Sequence, residues 1–564
     1  MTETPGYSTR SSLASDLRSQ AFPTLTEAQI NRIRPAGQLR QVAPGDILFE
    51  PGDLNVPFFV LLSGAMEIVQ PYFSGERLIV AHQPGAFTGE MSMISGVRCL
   101  VRGRVTEAGE VLQVSSDGLR ALVAKDAELS EIFMRAFIYR RLALITEGLG
   151  NAILLGSRHS AATLRLREFL SRNGYPYNYV DLDTDMDAQA LLDRFGVTIS
   201  EIPVFICSGH TVLRNPTTQQ LADCLGFSAN IDTSQVRDLI IVGAGPSGLA
   251  AAVYAASEGL DALVIETEAP GGQAGSSSKI ENYLGFPTGV SGQELATRAL
   301  AQAQKFGAKM IVGHAVVRLD CQQHPYSILL DNGNRLSARA IIISTGAQYN
   351  KPQIPNLARF EGCGVYYGAT FLESQLCGGD EVIIVGGANS AGQAAVFLAQ
   401  TARKVHMLIR RNGLADTMSR YLIQRIAENP AIELHRNCEI VNLEGNGQIE
   451  RVTWLDKVSG QTFTHPIAHV FIMTGALPRT GWLQGCVGLD DKGFILTGRD
   501  MKIAGDESRS HPWPLSRPPQ MFETSLPAVF AVGDVRSGNV KRVASAVGEG
   551  AIAIHMVHRA LAEN

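Results

Sequence analysis

Between about Gln20 and Ala124, apolar and polar residues alternate in short runs: ILFEPGD, FFVLLSGAMEIV, ERLIVAHQPG and EVLQVSS, punctuated by glycine and proline. A period of two sends successive side chains to opposite faces, so these runs predict β-strands joined by turns. Leu129, Ile132, Phe133, Ala136 and Phe137 then recur at helical spacing and predict an amphipathic helix that closes this module. From Asn151 to Gly226 the pattern changes to alternating strand and helix. NAILLGS and YNYVDLD read as strands, LRLREFLSRNG and AQALLDRFG as helices, IPVFICSG with TVLR as a hairpin, and TTQQLADCLG as a final helix. A polar link, FSANIDTSQ, leads to DLIIVGAGPSG, where a large α/β region begins.

A chain of 564 residues is too long for one hydrophobic core, so three or four domains are expected. Apolar residues at 45% and charged residues at 18% fit an ordinary globular protein. A net charge of −5 without a basic run argues against nucleic acid as a partner. The opening MTETPGYSTRSS has no apolar core, and no uninterrupted apolar stretch reaches the ~18–20 residues that span a bilayer; a cytoplasmic protein with no membrane partner is expected. The eight cysteines include no C-x-x-C pair, which argues against a disulfide framework and a zinc site. Each reads as a small buried apolar residue, and no metal is expected.

The chemistry begins at LIIVGAGPSG, an apolar strand running into G-x-G-x-x-G and a helix. Gly243 allows the tight turn, Gly245 lets the backbone approach a pyrophosphate, and Gly248 lets the helix pack on the strand. The helix N-terminus supplies free N–H groups for phosphates. DALVIE ends a second strand at Glu266, 23 residues beyond Gly243, placed to accept a ribose hydroxyl.

From about 236 to 564 the chain resembles bacterial thioredoxin reductases. The residues that carry this are PGGQ (Pro270 to Gln273), IENYLGF, STGA and FAVGDV, in that family's order. The resemblance implies an FAD site that includes Gly272, Gln273, Asn282, Gly346 and Gly533. Asp534 would hold the ribityl and phosphate region, with Arg542, Val543 and Ala544 against the pyrimidine edge. It also implies a homodimer. The second strand–turn–helix, VIIVGGANSAGQAAVFLA, would bind NADPH through Gly386, Gly387, Asn389, Ser390 and Ala391. Arg410 and Arg411, 24 and 25 residues after Gly386, suit a 2′-phosphate. One departure is Ala388, whose methyl group stands where a second glycine would admit the pyrophosphate. The expected architecture is two Rossmann-like three-layer α/β domains: FAD-binding at 236–349 and 480–564, and NADPH-binding at 350–479.

That family carries C-A-T-C just before its second nucleotide motif. Here the segment reads VYYGATFLES, so Gly368 and Phe371 occupy the cysteine positions and the usual catalytic dithiol is absent. Cys363 and Cys377, with 13 residues between them, are a poor substitute. Residues 151–228 resemble a glutaredoxin or thioredoxin domain, with Ile202-Pro203 matching its cis-proline strand. Where that fold places its cysteines the chain has Arg158, His159, Ser160 and Ala161, so the module reads as either a docking site or a structural adaptor.

Residues 1–150 resemble a cyclic nucleotide-binding domain of β-barrel type. Pro51-Gly52-Asp53, Ser63-Gly64, Gly75-Glu76 and FTGEMSMISGVR carry the likeness. It implies that Gly89 and Glu90 meet the ribose and phosphate, with Arg98 on the cyclic phosphate and Arg102 a rival for that role. Two functions stay open. One is an FAD-dependent oxidoreductase that accepts hydride from NADPH and passes electrons to an acceptor other than a dithiol. The other is a redox-inactive flavin and nucleotide sensor; an ordinary thioredoxin reductase is disfavoured by Gly368 and Phe371.

Overall fold

The protein is described from a computed structural model, which covers residues 18–72, 75–89, 92–95, 98–146, 152–185, 192, 196–198, 201–207, 211–227, 232–483, 485–501 and 513–563. The chain forms two compact units. One holds Met1–Ser157, Asn173–Ile231 and Ala301–Lys309; the other holds Arg158–Arg172, Asp232–Leu300 and Met310–Asn564.

In the first unit, α1 (Glu27–Ile33) opens with Thr26 and Gln29 in a reciprocal capping box. Five strands follow: β1 (Gly37–Val42), β2 (Ile47–Phe49), β3 (Phe58–Tyr72), β4 (Gly75–His82) and β5 (Arg102–Val114), in the order β1-β5-β3-β4 with β2 beside β5. The alternating runs thus become an antiparallel sheet, as the period of two predicts. Two helices follow, α2 (Ser116–Lys125) and α3 (Ala127–Thr146). Phe133 of α3 packs 4.9 Å from the Phe58 ring and 5.0 Å from Phe87, so the expected closing helix seals the sheet with aromatic edges and faces. Helices α1 and α2, at seven and ten residues, are too short for helical periodicity to stand out beside the neighbouring strands.

Next come β6 (Ile153–Gly156), α4 (Ala161–Arg172), β7 (Asn178–Asp181), the hairpin β8 (Val204–Cys207) and β9 (Thr211–Arg214), and α5 (Thr218–Leu225). The strand order is β7-β6-β8-β9, with β6 parallel to β7 and antiparallel to β8. Ile202–Pro203 is cis, and so is His324–Pro325, which nothing in the pattern announced. The helix expected over AQALLDRFG falls almost wholly outside the described residues. Helix α4 belongs to the second compact unit.

The second unit is built on a seven-stranded sheet. Its members are β10 (Val236–Val242), β11 (Ala262–Glu266), β12 (Lys309–Val312), β13 (Val316–Asp320), β14 (Tyr326–Leu330), β15 (Arg335–Ile343) and β26 (Val529–Ala531). β10, β11, β15 and β26 run parallel, and their near-continuous apolar sequences bury both faces. Helix α6 (Pro246–Ser257) follows β10, and α7 (Gly292–Lys305) precedes β12. A second sheet has the order β17-β24-β18-β19-β20: β17 (Val365–Tyr366), β18 (Glu381–Val385), β19 (Lys404–Ile409), β20 (Ile432–Arg436) and β24 (His469–Ile472), all parallel. One face packs on α9 (Asn389–Leu398) and α10 (Arg420–Glu428), the other on the meander β21 (Cys438–Glu444), β22 (Arg451–Asp456) and β23 (Thr462–His465). Two further elements matter below, α8 (Phe371–Leu376) and the C-terminal α11 (Val543–Glu563).

One expectation is overturned. Cys321 and Cys486 form a disulfide, with Cα atoms 5.8 Å apart, rather than standing as two buried thiols. The pair is separated by 165 residues, so spacing in the sequence carries no trace of it.

Candidate functional site

Three glycines of the first turn serve different ends. Gly243 has φ +104°, and a Cβ there would lie 2.4 Å from the Ser344 carbonyl oxygen. A Cβ on Gly248 would lie 1.9 Å from the Gly243 oxygen. The protein's own packing therefore demands both glycines. Gly245 is different: its backbone is extended (φ −67°, ψ −178°) at the start of α6, and a Cβ would meet nothing within 4 Å. Nothing in the polypeptide requires glycine at 245. Open space beside an N–H-rich helix start is the setting that a pyrophosphate requires.

Some of the other residues expected to bind flavin can be placed against this turn, others not. Glu266 ends β11 in full burial, its carboxylate accepting from the N–H of Ala244 at 2.7 Å and of Glu268 at 3.0 Å. Burial raises its pKa, and those two N–H donors offset part of the rise. A Cβ on Gly272 (φ +54°) would lie 3.1 Å from the Gly245 Cα, so this turn backs the first. Gln273 donates to the Ala347 carbonyl. Gly346, at φ +65°, opens on free space, while a Cβ on Gly533 would lie 2.5 Å from Ser247 Oγ of α6. The Gly533 N–H donates to Glu549 at 2.7 Å, and Glu549 also pairs with Arg536 at 2.6 Å. Burial raises the neighbouring Asp534, with Lys541 acting against it. Asn282, Arg542 and Ala544 are exposed, and Val543 is partly buried at the start of α11.

In the second motif, Gly386 (φ +149°) cannot carry a side chain, since a Cβ would lie 2.5 Å from the Met473 oxygen. Gly387 accepts from Thr417 Oγ1 at 2.6 Å, and Asn389 accepts from the Ser419 N–H at 2.8 Å. Ala388 is the N-cap of α9 and Ala391 is buried. Burial raises the pKa of Tyr349, Ser390 acts against that rise, and Asp534 adds to it. Arg425 of α10 pairs with Glu281, beside Asn282. Arg410 and Arg411 follow β19 in solvent.

Gly368 lies between β17 and α8, and a Cβ there would meet nothing within 4 Å. Phe371 is the first residue of α8, behind the N-cap Thr370 and its capping partner Glu373. Cys363 Sγ donates to the His159 carbonyl at 3.6 Å and Cys377 Sγ to the Ser374 carbonyl at 3.7 Å, so the two thiols serve separate contacts.

Helix α4, read from sequence only as part of a thiol-free module, belongs to this site. At one end a Cβ on Gly362 would lie 2.8 Å from Ala161 Cβ. At the other, Arg172 pairs with Glu268 at 3.2 Å and donates to the Gly272 carbonyl at 3.1 Å. Gln293 holds the Arg172 carbonyl at 2.9 Å. Between them, burial and the Glu373 carboxylate of α8 raise Glu168. The helix therefore spans from the Gly362 turn, past the start of α8, to the Gly272 turn.

In the first unit, Gly89 has φ +114° and its carbonyl accepts from Arg140 at 2.7 Å. Arg140 also donates to Ala21 at 2.7 Å and lies over the rings of Phe22 and Phe87. The two candidate phosphate partners have different settings. Arg102 pairs with Glu50 at 2.8 Å and with Glu76. Arg98 donates to the Gly52 carbonyl at 3.0 Å and lines a cavity of about 620 Å³ with Cys207, Gln220 and Cys224. Glu90 lies outside the described residues.

Comparison with known proteins agrees with both ends of the chain. Residues 39–126 match the cyclic nucleotide-binding domain, and residues 237–550 match the pyridine nucleotide-disulphide oxidoreductase model. The thioredoxin reductase of Bacillus subtilis is 31% identical over 330 residues, covering 58% of this chain and 96% of that protein. That of Treponema pallidum is 32% identical over 318 residues, covering 56% and 95%. The crystal structure of Lactococcus lactis thioredoxin reductase in its FR conformation aligns at a TM-score of 0.51 with 26% identity, covering 58% of this chain and all of that one. No described helix is long and apolar enough to cross a membrane. A thioredoxin reductase-like region thus follows an N-terminal cyclic nucleotide-binding domain, and with more than half of its length matched by the family model, the chain belongs to the pyridine nucleotide-disulphide oxidoreductase family.

Proposed function

We propose that this protein is an FAD-dependent oxidoreductase that takes hydride from NADPH and passes electrons to an acceptor other than a flavin-proximal dithiol. One observation carries the reading: both nucleotide turns keep their architecture, while Gly368 and Phe371 stand where a relative's cysteines would be. Free space at Gly245 and Gly346, with the carboxylates of Glu266 and Asp534 beside it, fits a flavin dinucleotide. Bound there, FAD would supply the two-electron centre that neither glycine nor phenylalanine can. Gly386, Gly387, Asn389, Ser390 and Ala391 would hold the NADPH pyrophosphate, and Arg410 and Arg411 its 2′-phosphate.

The domain limits given by sequence are part of this proposal, as is a homodimer. Residues 151–228 would form a thioredoxin-like module without redox thiols, serving as a docking site or a structural adaptor. The N-terminal domain would take a cyclic nucleotide through Gly89, Glu90 and Arg98. Arg98 is favoured over Arg102, which already meets two carboxylates. The test is anaerobic addition of NADPH while the flavin's visible band is followed. Bleaching is expected; an unchanged band in FAD-loaded protein would leave the redox-inactive sensor as the better reading.

A further inference from the structure

On the face of the second sheet that packs on the meander, imidazoles and carboxylates converge. His406 is the third residue of β19 and stands in register with Glu433 on β20. His435 is two residues further along, so Glu433 and His435 share a face. His406 Nδ1 lies 3.0 Å from His435 Nε2, and Glu433 Oε1 lies 3.6 Å from that same nitrogen. The three ligand atoms all fall within 4.8 Å of one another. One N–H···N hydrogen bond would account for the two rings alone. It would not account for a third donor directed at the same point, nor for what stands behind each ligand.

Those outer contacts are specific. Glu381 Oε2 lies 3.3 Å from His406 Nε2, and with the proton on that nitrogen Nδ1 presents its lone pair to the cluster. Lys404 binds the other oxygen of Glu433, leaving Oε1 to face His435. Arg403 holds the second oxygen of Glu381 at 3.2 Å. Trp454, with His465 stacked on it at 4.3 Å, covers the side towards the meander, its ring 5.8 Å from that of His406.

We propose that His406, Glu433 and His435 form a binding site for a divalent transition-metal ion of the zinc type, with Glu381 orienting His406 and a fourth position left for water. Two nitrogens and one oxygen suit that ion, which takes imidazole nitrogen at ~2.0–2.1 Å in tetrahedral geometry. Two such nitrogens stand ~3.4 Å apart, so the present 3.0 Å needs only a small opening of the rings. The ligands lie third in β19 and second and fourth in β20, on the face that packs on the meander and not on the face that packs on α9, so the ion stabilises the second sheet and takes no part in hydride transfer.

The experiment uses the full-length FAD-loaded protein, stripped with EDTA, dialysed, and titrated with zinc chloride by calorimetry and against a chromogenic chelator. Wild type should bind one zinc per chain with a rise in melting temperature. Glu433→Gln, at an exposed position, and His435→Gln should lose that equivalent while keeping the flavin spectrum and the zinc-free melting temperature. Glu381→Gln should bind about 10- to 100-fold more weakly. If wild type takes up no zinc in competition with the chelator, or if Glu433→Gln and His435→Gln bind it as tightly as wild type does, the proposal is overturned and the two rings simply share a hydrogen bond.

Discussion

At the scale of single residues, the first nucleotide turn separates what the fold needs from what a ligand needs. Gly248→Ala should destabilise the protein outright, because its methyl group would press on the Gly243 oxygen. Gly245→Val has no such conflict: its backbone is extended and its Cβ space is empty. It should therefore give folded but colourless protein, read by circular dichroism and flavin absorbance together. Full flavin content in that variant would mean that the pyrophosphate lies elsewhere. Arg410 and Arg411 make a second case. If they hold the 2′-phosphate, replacing both by Ala should erase a preference for NADPH over NADH, at about 1.5–3 kcal/mol per lost charged contact. Equal flavin reduction rates with the two cofactors in wild type would remove the basis for that assignment. The turn glycines and the placing of Glu266 at the end of β11 were legible because strand, turn and helix each leave a local mark. Arg172 was not, since its partners Glu268 and Gly272 are about 100 residues away, and Glu549 was not, since no motif marks a carboxylate inside a helix.

At the scale of elements, patterns of period two and 3.6 found most strands and long helices, because a half-buried face must repeat with the element's geometry. They could not find α4's place at the flavin-side turns, which depends on Arg172 meeting Gly272 and Glu268 about 100 residues on. Nor could they find the Cys321–Cys486 link. The N-terminal sheet also carries a titration that no pattern shows. His82, at the end of β4, is buried and its pKa is lowered from 6.5 to about 3, first by burial and then by Arg140. The unfolded chain then binds a proton that the folded chain refuses. Stability from this group is complete above pH 6.5 and declines as pH falls towards 3, by up to about 1.4 kcal/mol per pH unit. Thermal melts from pH 7 to pH 4 should show that slope in the N-terminal transition, and His82→Gln should flatten it. An unchanged slope in the variant would assign acid sensitivity to other groups.

At the scale of the whole molecule, a nucleotide-binding domain and a two-nucleotide oxidoreductase region share one chain, and the proposal joins them by thermodynamic linkage. A ligand on the first that biases the second by about 1–3 kcal/mol would change flavin reduction 5- to 150-fold if the biased step limits the rate. Cyclic AMP or cyclic GMP should therefore shift both melting temperature and NADPH oxidation, and Arg98→Ala should abolish both shifts. If neither nucleotide moves either readout in wild type, the regulatory part of the account falls and the oxidoreductase part stands. The central claim is that electrons leave the flavin by some route other than an adjacent dithiol, and anaerobic titration with NADPH tests it most directly. The account predicts that one equivalent per flavin completes the bleaching, with no long-wavelength thiolate–flavin band and no further uptake. Consumption of a second equivalent, with two new thiols appearing beside a charge-transfer band, would contradict it.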